Sequence, residues 1–121
     1  MTKDNIYLKI PCKPDYISLV RLTTSSIAHN LRLTIDEIED IKVCIGEACI
    51  NVINQENKDN ISIQYEVEED KLTIRVKDVL EHETEEVDGF NKEELGLLII
   101  RSLMDEVGFT EDGICMVKYI E

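Results

Sequence analysis

The sequence contains no tryptophan, and aromatic residues make up only 5% of it. Aromatic side chains therefore fill little of the interior, and isoleucine, leucine and valine must form an aliphatic core. The hydrophobic fraction is nevertheless 43%, which is ordinary for a globular protein and argues against disorder. At 121 residues the chain has room for a single domain, residues 1–121, with one principal core.

Positive charge is also scarce. The sequence has 13 lysine and arginine residues against 26 aspartate and glutamate residues, and its formal net charge is -13. Such a charge repels nucleic-acid phosphates and anionic lipid head groups. We therefore expect no direct binding to nucleic acid or to a membrane, and we expect electrostatic steering to favour a basic protein partner.

Long apolar runs are absent as well. No run reaches the roughly 20 residues that a membrane-spanning helix needs, and the N-terminal sequence MTKDNIYLKI lacks the apolar region of a signal peptide. The cysteines lack the CxxC spacing of a zinc site. We therefore expect a cytoplasmic protein with reduced, structural thiols. These are Cys12, Cys44, Cys49 and Cys115.

The first half of the sequence predicts one strand and two helices. Residues 6–10 alternate between apolar and polar side chains, which is typical of a strand. An amphipathic helix is predicted to follow, with Asp15 as its N-cap. The spacing of Thr34 and Glu37 is that of a capping box, which predicts the start of a second helix. The apolar stripe of this second helix is Ile38, Ile41, Ile45, Ala48 and Val52.

The second half predicts two strands, a loop, a third helix and a last strand. Residues 61–67 and 72–76 alternate, and their short acidic connection predicts an antiparallel hairpin. Residues 78–91 are acidic and aperiodic, which indicates a loop. Residues 93–106 have helical spacing, and Gly108 is the expected stop of that helix. The order predicts a two-layer α/β sandwich (α+β), with three helices on one face of a mixed, mostly antiparallel sheet.

Two polar residues of the second helix could carry chemistry. Glu47 and Asn51 are four residues apart, so they lie on one edge of the helix, beside its apolar stripe. A carboxylate can accept a proton, and carboxylate and carboxamide oxygens are suitable ligands for Mg²⁺. The spacing alone is more typical of a solvated helix edge, so both interpretations stay open at this level.

Several segments, spread over nearly the whole chain, carry a family likeness. They are Arg21-Leu-Thr, Thr34-Ile-Asp-Glu-Ile-Glu-Asp-Ile-Lys42, Gly46-Glu-Ala-Cys-Ile-Asn51, Glu94-Leu-Gly-Leu97, Leu103-Met-Asp-Glu-Val107 and Met116-Val-Lys-Tyr119. Together they resemble the anti-sigma-factor serine kinases of Gram-positive bacteria. That family belongs to the superfamily of gyrase, heat-shock chaperone, histidine-kinase and mismatch-repair ATPases, so the resemblance implies a Bergerat-type ATP-binding fold.

The resemblance implies a role for each of five residues. Glu47 would be the general base, and Asn51 would hold Mg²⁺ against the phosphates of ATP. Asp78 would accept a hydrogen bond from the adenine amino group, and the backbone at Gly96 would approach the phosphates. Arg21 would contact the protein partners, which the resemblance implies are a sigma factor and an anti-anti-sigma protein. It further implies Mg-ATP as the cofactor, serine phosphorylation of the antagonist and a possible homodimer.

The sequence also departs from the family motifs. Leu80 replaces the glycine of the adenine motif D-x-G, Glu93 and Glu94 stand where the family has paired glycines, and Gln55 replaces a frequent histidine. The stretch between Asp78 and Gly96 is shorter than the usual ATP lid, and it is acidic. Two functions therefore stay open: an ATP-dependent serine kinase, or a degenerate, non-catalytic binding module with weak or no nucleotide affinity. An α/β domain without either function is the third alternative.

Overall fold

The structure is a computed structural model that describes residues 3–81 and 92–121. A short 3-10 helix, Pro14–Tyr16, precedes the first α-helix. The main elements are β1 (Asp4–Pro11), α1 (Ile17–His29), α2 (Ile35–Ile53), β2 (Asn60–Val67), β3 (Lys71–Lys77), α3 (Lys92–Leu103), β4 (Glu106–Thr110) and β5 (Gly113–Tyr119). The predicted acidic lid falls largely on residues 82–91, which lie outside the described residues.

The five strands form one sheet in the order β1-β2-β3-β5-β4, and all four pairings are antiparallel. Alternate residues of the strands face the helices. Ile63, Ile74 and Met116, for example, are buried in the same core as the apolar residues of the helices. The other face of the sheet carries polar residues such as Gln64 and Arg75. The predicted two-layer α/β sandwich is therefore confirmed.

Helix α2 lies between α1 and α3 and packs against both. Its predicted apolar stripe is buried over its whole length, from Ile38 to Val52. The predicted capping box is present: the backbone N–H of Glu37 donates to Oγ1 of Thr34 at 3.1 Å, and the backbone N–H of Thr34 donates to Oε1 of Glu37 at 2.9 Å. The start and the rotation of α2 are therefore set by local sequence.

Two helix ends differ from the prediction. Asp15 is not the N-cap of α1, because Pro14 begins a 3-10 turn that contains Asp15, and Tyr16 is the residue before the helix. Helix α3 ends at Leu103 rather than near residue 106.

Gly108 is also not a helix stop, because it lies in β4. Val107 and Phe109 pair with Met116 and Ile114 of β5, and this pairing buries part of both side chains against the core. Pairing with the neighbouring strand therefore ends the helical pattern earlier than the sequence predicts.

Within the described ranges, no helix has both the length and the apolar character needed to cross a membrane. The four cysteines form no disulfide. Burial raises the pKa of both Cys44 and Cys49 to about 12, so these two thiols stay protonated near neutral pH.

Candidate functional site

The edge of α2 that faces α3 begins with Glu47. The Oε1 atom of Glu47 lies 3.0 Å from the position that a Cβ atom on Gly96 would occupy. Gly96 is buried, and the carboxylate uses the space that its missing side chain leaves. Gly96 lies inside α3, four residues after its start, rather than before the helix. Its contact with Glu47 is therefore between two packed helices.

Asn51 lies one turn further along the same edge and is 4% exposed. Its Nδ2 donates to the backbone oxygen of Leu80 at 3.1 Å, and the backbone N–H of Leu80 donates to its Oδ1 at 3.1 Å. This reciprocal pair satisfies a buried carboxamide with backbone groups. The Leu80 side chain, which is 49% exposed, takes no part in it. The departure at Leu80 therefore keeps a backbone contact that every residue type except proline could make.

Gln55 continues this edge just beyond the end of α2, and no functional role was predicted for it. Its Nε2 donates to the backbone oxygen of Asp78 at 2.8 Å and to Oδ1 of Asn51 at 3.1 Å. The spacing of residues 47, 51 and 55 places all three side chains on one edge. This regular spacing of four residues is the sequence signal that could have pointed to Gln55. Their partners, however, come from the segment that follows β3 and from α3.

Asp78 follows β3 and has a left-handed backbone, with φ at 70°. Its backbone N–H donates to the backbone oxygen of Asp112 at 2.6 Å. Its carboxylate Oδ1 lies 3.5 Å from Nζ of Lys58, and both side chains are about one-third exposed. The structure therefore ties the backbone of Asp78 to α2 through Gln55, while the carboxylate pairs with Lys58. A ligand that binds this carboxylate would have to compete with Lys58.

Arg21 lies against the other edge of α2, which faces α1. Its Nη2 atom is 2.6 Å from the position of a Cβ on Gly46, so a side chain at residue 46 would require the guanidinium to shift. In the part of the chain that the structure describes, Arg21 forms no ion pair. The candidate partner-binding residue therefore contacts α2 at Gly46, whereas Glu47 contacts α3 at Gly96.

The oxygen atoms of this edge suit a metal ion of the Mg²⁺ type in their chemistry. Mg²⁺ commonly takes one or two protein oxygens and completes its coordination with water and phosphate. Glu47 and Asn51 could supply such oxygens. Over residues 3–81 and 92–121, no group of three or more His, Cys, Asp or Glu side chains could form a metal site by itself. Because Oδ1 of Asn51 already accepts two hydrogen bonds, a cation bound there must replace one of the donors.

A second carboxylate, on the open face of the sheet, has a different environment. Glu66 is 7% exposed and accepts hydrogen bonds from Arg75 and from Nζ of Lys3, the latter at 2.8 Å. These bonds, that from Arg75 first, lower the pKa of the Glu66 carboxyl below its ordinary value. Glu47, in contrast, forms no ion pair or hydrogen bond with its side chain among the described residues.

Comparison with known proteins places these features in a family. The model of the histidine kinase-like ATPase domain matches residues 10–118. A serine-protein kinase RsbW of Bacillus velezensis is 34% identical, over 97% of this chain and 86% of its own length. A serine-protein kinase RsbW of Staphylococcus aureus strain JH9 is 36% identical, over 98% of this chain and 89% of its own length.

The alignments are longer than the chain itself. The alignment with the Bacillus protein extends over 138 residues, whereas this chain has 121, so at least 17 aligned positions of the relative have no counterpart here. The relatives are therefore longer within the matched region. Both the family model and the relatives cover nearly the whole chain, and the chain belongs to the family of histidine kinase-like ATPase domains.

Proposed function

We propose that this chain is an anti-sigma-factor-like regulator that binds a sigma factor and its antagonist, binds Mg-ATP, and phosphorylates a serine of the antagonist. One observation carries this proposal. Glu47 and Asn51 of α2, and Gln55 just beyond the end of that helix, contact Gly96, Leu80 and Asp78, respectively. The contacts between these segments are what a nucleotide site at this edge requires.

The mechanism assigns one task to each side chain. Glu47 accepts the proton of the attacking serine hydroxyl, and the absence of a competing ion pair in the described residues leaves its carboxylate available. Asn51 holds the metal through its oxygen, and Asp78 accepts from the adenine amino group. Bound Mg²⁺ supplies charge neutralisation of the phosphates. Gly96 leaves room for the Glu47 carboxylate beside α3.

The names of the relatives support the serine kinase part of the proposal. Both are named serine-protein kinases, and they align with almost the entire chain. We propose that residues 1–121 form a single ATPase domain with a shortened lid, which agrees with the additional aligned positions in the longer relatives. We also propose a cytoplasmic location, Arg21 as a partner contact, and a possible homodimer, without direct contact to nucleic acid or to a membrane.

A degenerate, non-catalytic module is the second candidate, and specific contacts favour it. Oδ1 of Asn51 already accepts from Leu80 and Gln55, and the Asp78 carboxylate pairs with Lys58. A nucleotide must displace some of these contacts, which costs affinity. In this alternative the fold serves protein–protein regulation, with nucleotide affinity weak or absent.

Isothermal titration calorimetry with ADP and Mg²⁺ tests the nucleotide site. We expect saturable binding by the wild-type protein and binding at least about 10-fold weaker for Asn51→Ala, because a metal ligand is lost. Asn60→Ala is the matched control, since Asn60 is exposed at the start of β2. Heats equal to the dilution baseline from the first injection up to millimolar ADP would exclude the kinase.

Transfer of labelled γ-phosphate separates the two candidates. The acceptor is a candidate anti-anti-sigma protein. We expect transfer by the wild-type protein and a loss of at least about 100-fold in Glu47→Gln, because the general base is removed. Nucleotide binding without any transfer by the wild-type protein would instead favour the non-catalytic module.

A further inference from the structure

The side-chain amide of Gln55 lies between two groups of the candidate site. Its Nε2 donates to the backbone oxygen of Asp78 at 2.8 Å and to Oδ1 of Asn51 at 3.1 Å, while the backbone oxygen of Asn51 is more distant, at 3.4 Å. A side-chain NH₂ has two hydrogens, so the two shorter bonds use both. Gln55 therefore connects the candidate metal ligand with the candidate adenine-binding residue.

The orientation of Asn51 does not depend on Gln55. Leu80 both donates to Oδ1 and accepts from Nδ2 of Asn51, each at 3.1 Å. Turning the carboxamide over would place donor against donor and acceptor against acceptor, so this reciprocal pair fixes the orientation by itself. The additional bond from Gln55 uses the second lone pair of Oδ1.

Oδ1 of Asn51 can accept only a limited number of hydrogen bonds. A carboxamide oxygen has two lone pairs, and Leu80 and Gln55 occupy both. The N–H of Leu80 belongs to the backbone and is held by the reciprocal pair. The Gln55 side chain can rotate about its own bonds and keeps the Asp78 oxygen as an acceptor. Gln55 is therefore the donor that yields when a cation binds to Oδ1.

We propose that Gln55 is a positioning residue with two opposite effects on nucleotide binding. It occupies the lone pair of Asn51 that a cation would use, and it anchors the Asp78 turn to α2. The first effect reduces the gain in affinity that Mg²⁺ provides, and the second supports the adenine end. This inference rests on the proposed function, since that proposal assigns Asn51 to the metal and Asp78 to the base.

The test compares the ADP affinity of Gln55→Met in EDTA and in excess Mg²⁺ by calorimetry. Methionine keeps the length of the side chain but cannot donate. Without Mg²⁺, we expect the affinity to fall about 3- to 10-fold, because the Asp78 turn loses a hydrogen bond. We expect the ratio of the dissociation constants without and with Mg²⁺ to rise about 3- to 10-fold, because one lone pair is released.

Gln64→Met is the matched control. Gln64 lies on the open face of the sheet, where its Nε2 bonds to Asn5 and Tyr7, so both affinities should equal those of the wild-type protein. Gln55→His provides a second variant. Its ring N–H can serve only one of the two acceptors, so we expect smaller changes in the same directions. If the role of Gln55 were purely structural, Gln55→Met would lower the melting temperature. The ratio of the ADP dissociation constants without and with Mg²⁺ would then stay unchanged in the folded protein.

The outcomes separate the inference from the function on which it rests. If the wild-type protein binds ADP but the Mg²⁺ ratio of Gln55→Met is unchanged or smaller, the inference is wrong and the proposed nucleotide site stands. If the wild-type protein binds no ADP in either buffer, the nucleotide site is wrong and the inference falls with it. The inference is supported if Gln55→Met shows both a lower ADP affinity without Mg²⁺ and a larger ratio of the dissociation constants without and with Mg²⁺. Gln64→Met should show neither change.

Discussion

Gly113 at the start of β5 and Gly96 within α3 both stand where a side chain would meet a close neighbour, but the neighbours differ in kind. A Cβ on Gly113 would lie 2.2 Å from the backbone oxygen of Val76, and its φ of 151° is one that other residues rarely adopt. The three atoms nearest to a Cβ on Gly96 would all belong to the Glu47 side chain, and the closest is its carboxylate Oε1, at 3.0 Å. The start of β5 is therefore held by contacts with backbone atoms, whereas the α2–α3 edge at Gly96 contacts a side chain that can move.

The carboxylates of the two regions differ in the same way. On the sheet, Glu66 is held by Arg75 and Lys3, whereas Glu47 at the α2–α3 edge has no ion-pair partner among the described residues. The sheet side therefore contributes mainly to stability, and the edge keeps groups that can rearrange around a ligand. This division is what separates a structural ion cluster from a candidate site.

The largest effect is expected for Gly113→Ala. The added methyl group would meet backbone on β3, and the backbone conformation would be strained, so we expect the free energy of unfolding to fall by roughly 2–4 kcal/mol. Urea denaturation measures this change. Gly108→Ala is the control, because no atom lies within 4 Å of the corresponding Cβ. Equal stability of the two variants would contradict the conclusion that the start of β5 is held rigidly against the backbone of β3.

A smaller loss is expected for Glu66→Gln, about 1–2 kcal/mol at neutral pH, because charged hydrogen bonds to a buried carboxylate are lost but the cations are half-exposed. The pKa of the Glu66 carboxyl in the folded protein lies below its ordinary value, so the stabilisation is fully present above that ordinary value. It is lost as the pH falls through the folded pKa. Denaturation curves at several pH values should therefore show the difference from wild type shrinking in acid.

Glu39→Gln serves as the control for that measurement. Glu39 pairs with Lys42 at 3.2 Å, but its side chain is 60% exposed. We expect a change below about 0.5 kcal/mol, with little dependence on pH. A Glu66→Gln variant that behaves like Glu39→Gln would remove the distinction between the ion cluster on the sheet and an ordinary surface pair.

The smallest change in stability is expected for Gly96→Ala, below about 1 kcal/mol in either direction. Alanine favours the helix, and this offsets the displacement of the Glu47 carboxylate. The same variant should still reduce phosphate transfer, because the carboxylate must move. Thermal melts and the transfer assay on one preparation test both expectations. A large loss of stability would mean that the α2–α3 edge is as rigid as the end of the sheet.

The sequence predicted α2 well because its signals are local. The capping box of Thr34 and the stripe from Ile38 to Val52 lie within the helix itself, and both are present in the structure. The strand β4 was not predicted, because only Val107 and Phe109 show alternation and they follow directly on the helical pattern. Their assignment depends on pairing with β5, which periodicity over so few residues does not reveal.

The candidate site shows the same limit. Spacing alone places Glu47 and Asn51 on one edge of a helix, and the family resemblance suggests their tasks. The partners of that edge could not be predicted from spacing, because Leu80 binds through its backbone and Lys58 reaches Asp78 from another connection. Contacts made by backbone groups leave no side-chain pattern in the sequence.

The backbone bond from Asp78 to Asp112 links the end of β3 to the tip of the β4–β5 hairpin. Although 34 positions separate the two residues in the chain, any displacement of the Asp78 turn pulls on that tip. A fluorescent label at the neighbouring exposed residue Glu111 would then report ligand binding from outside the candidate site, without touching any residue proposed to bind the ligand.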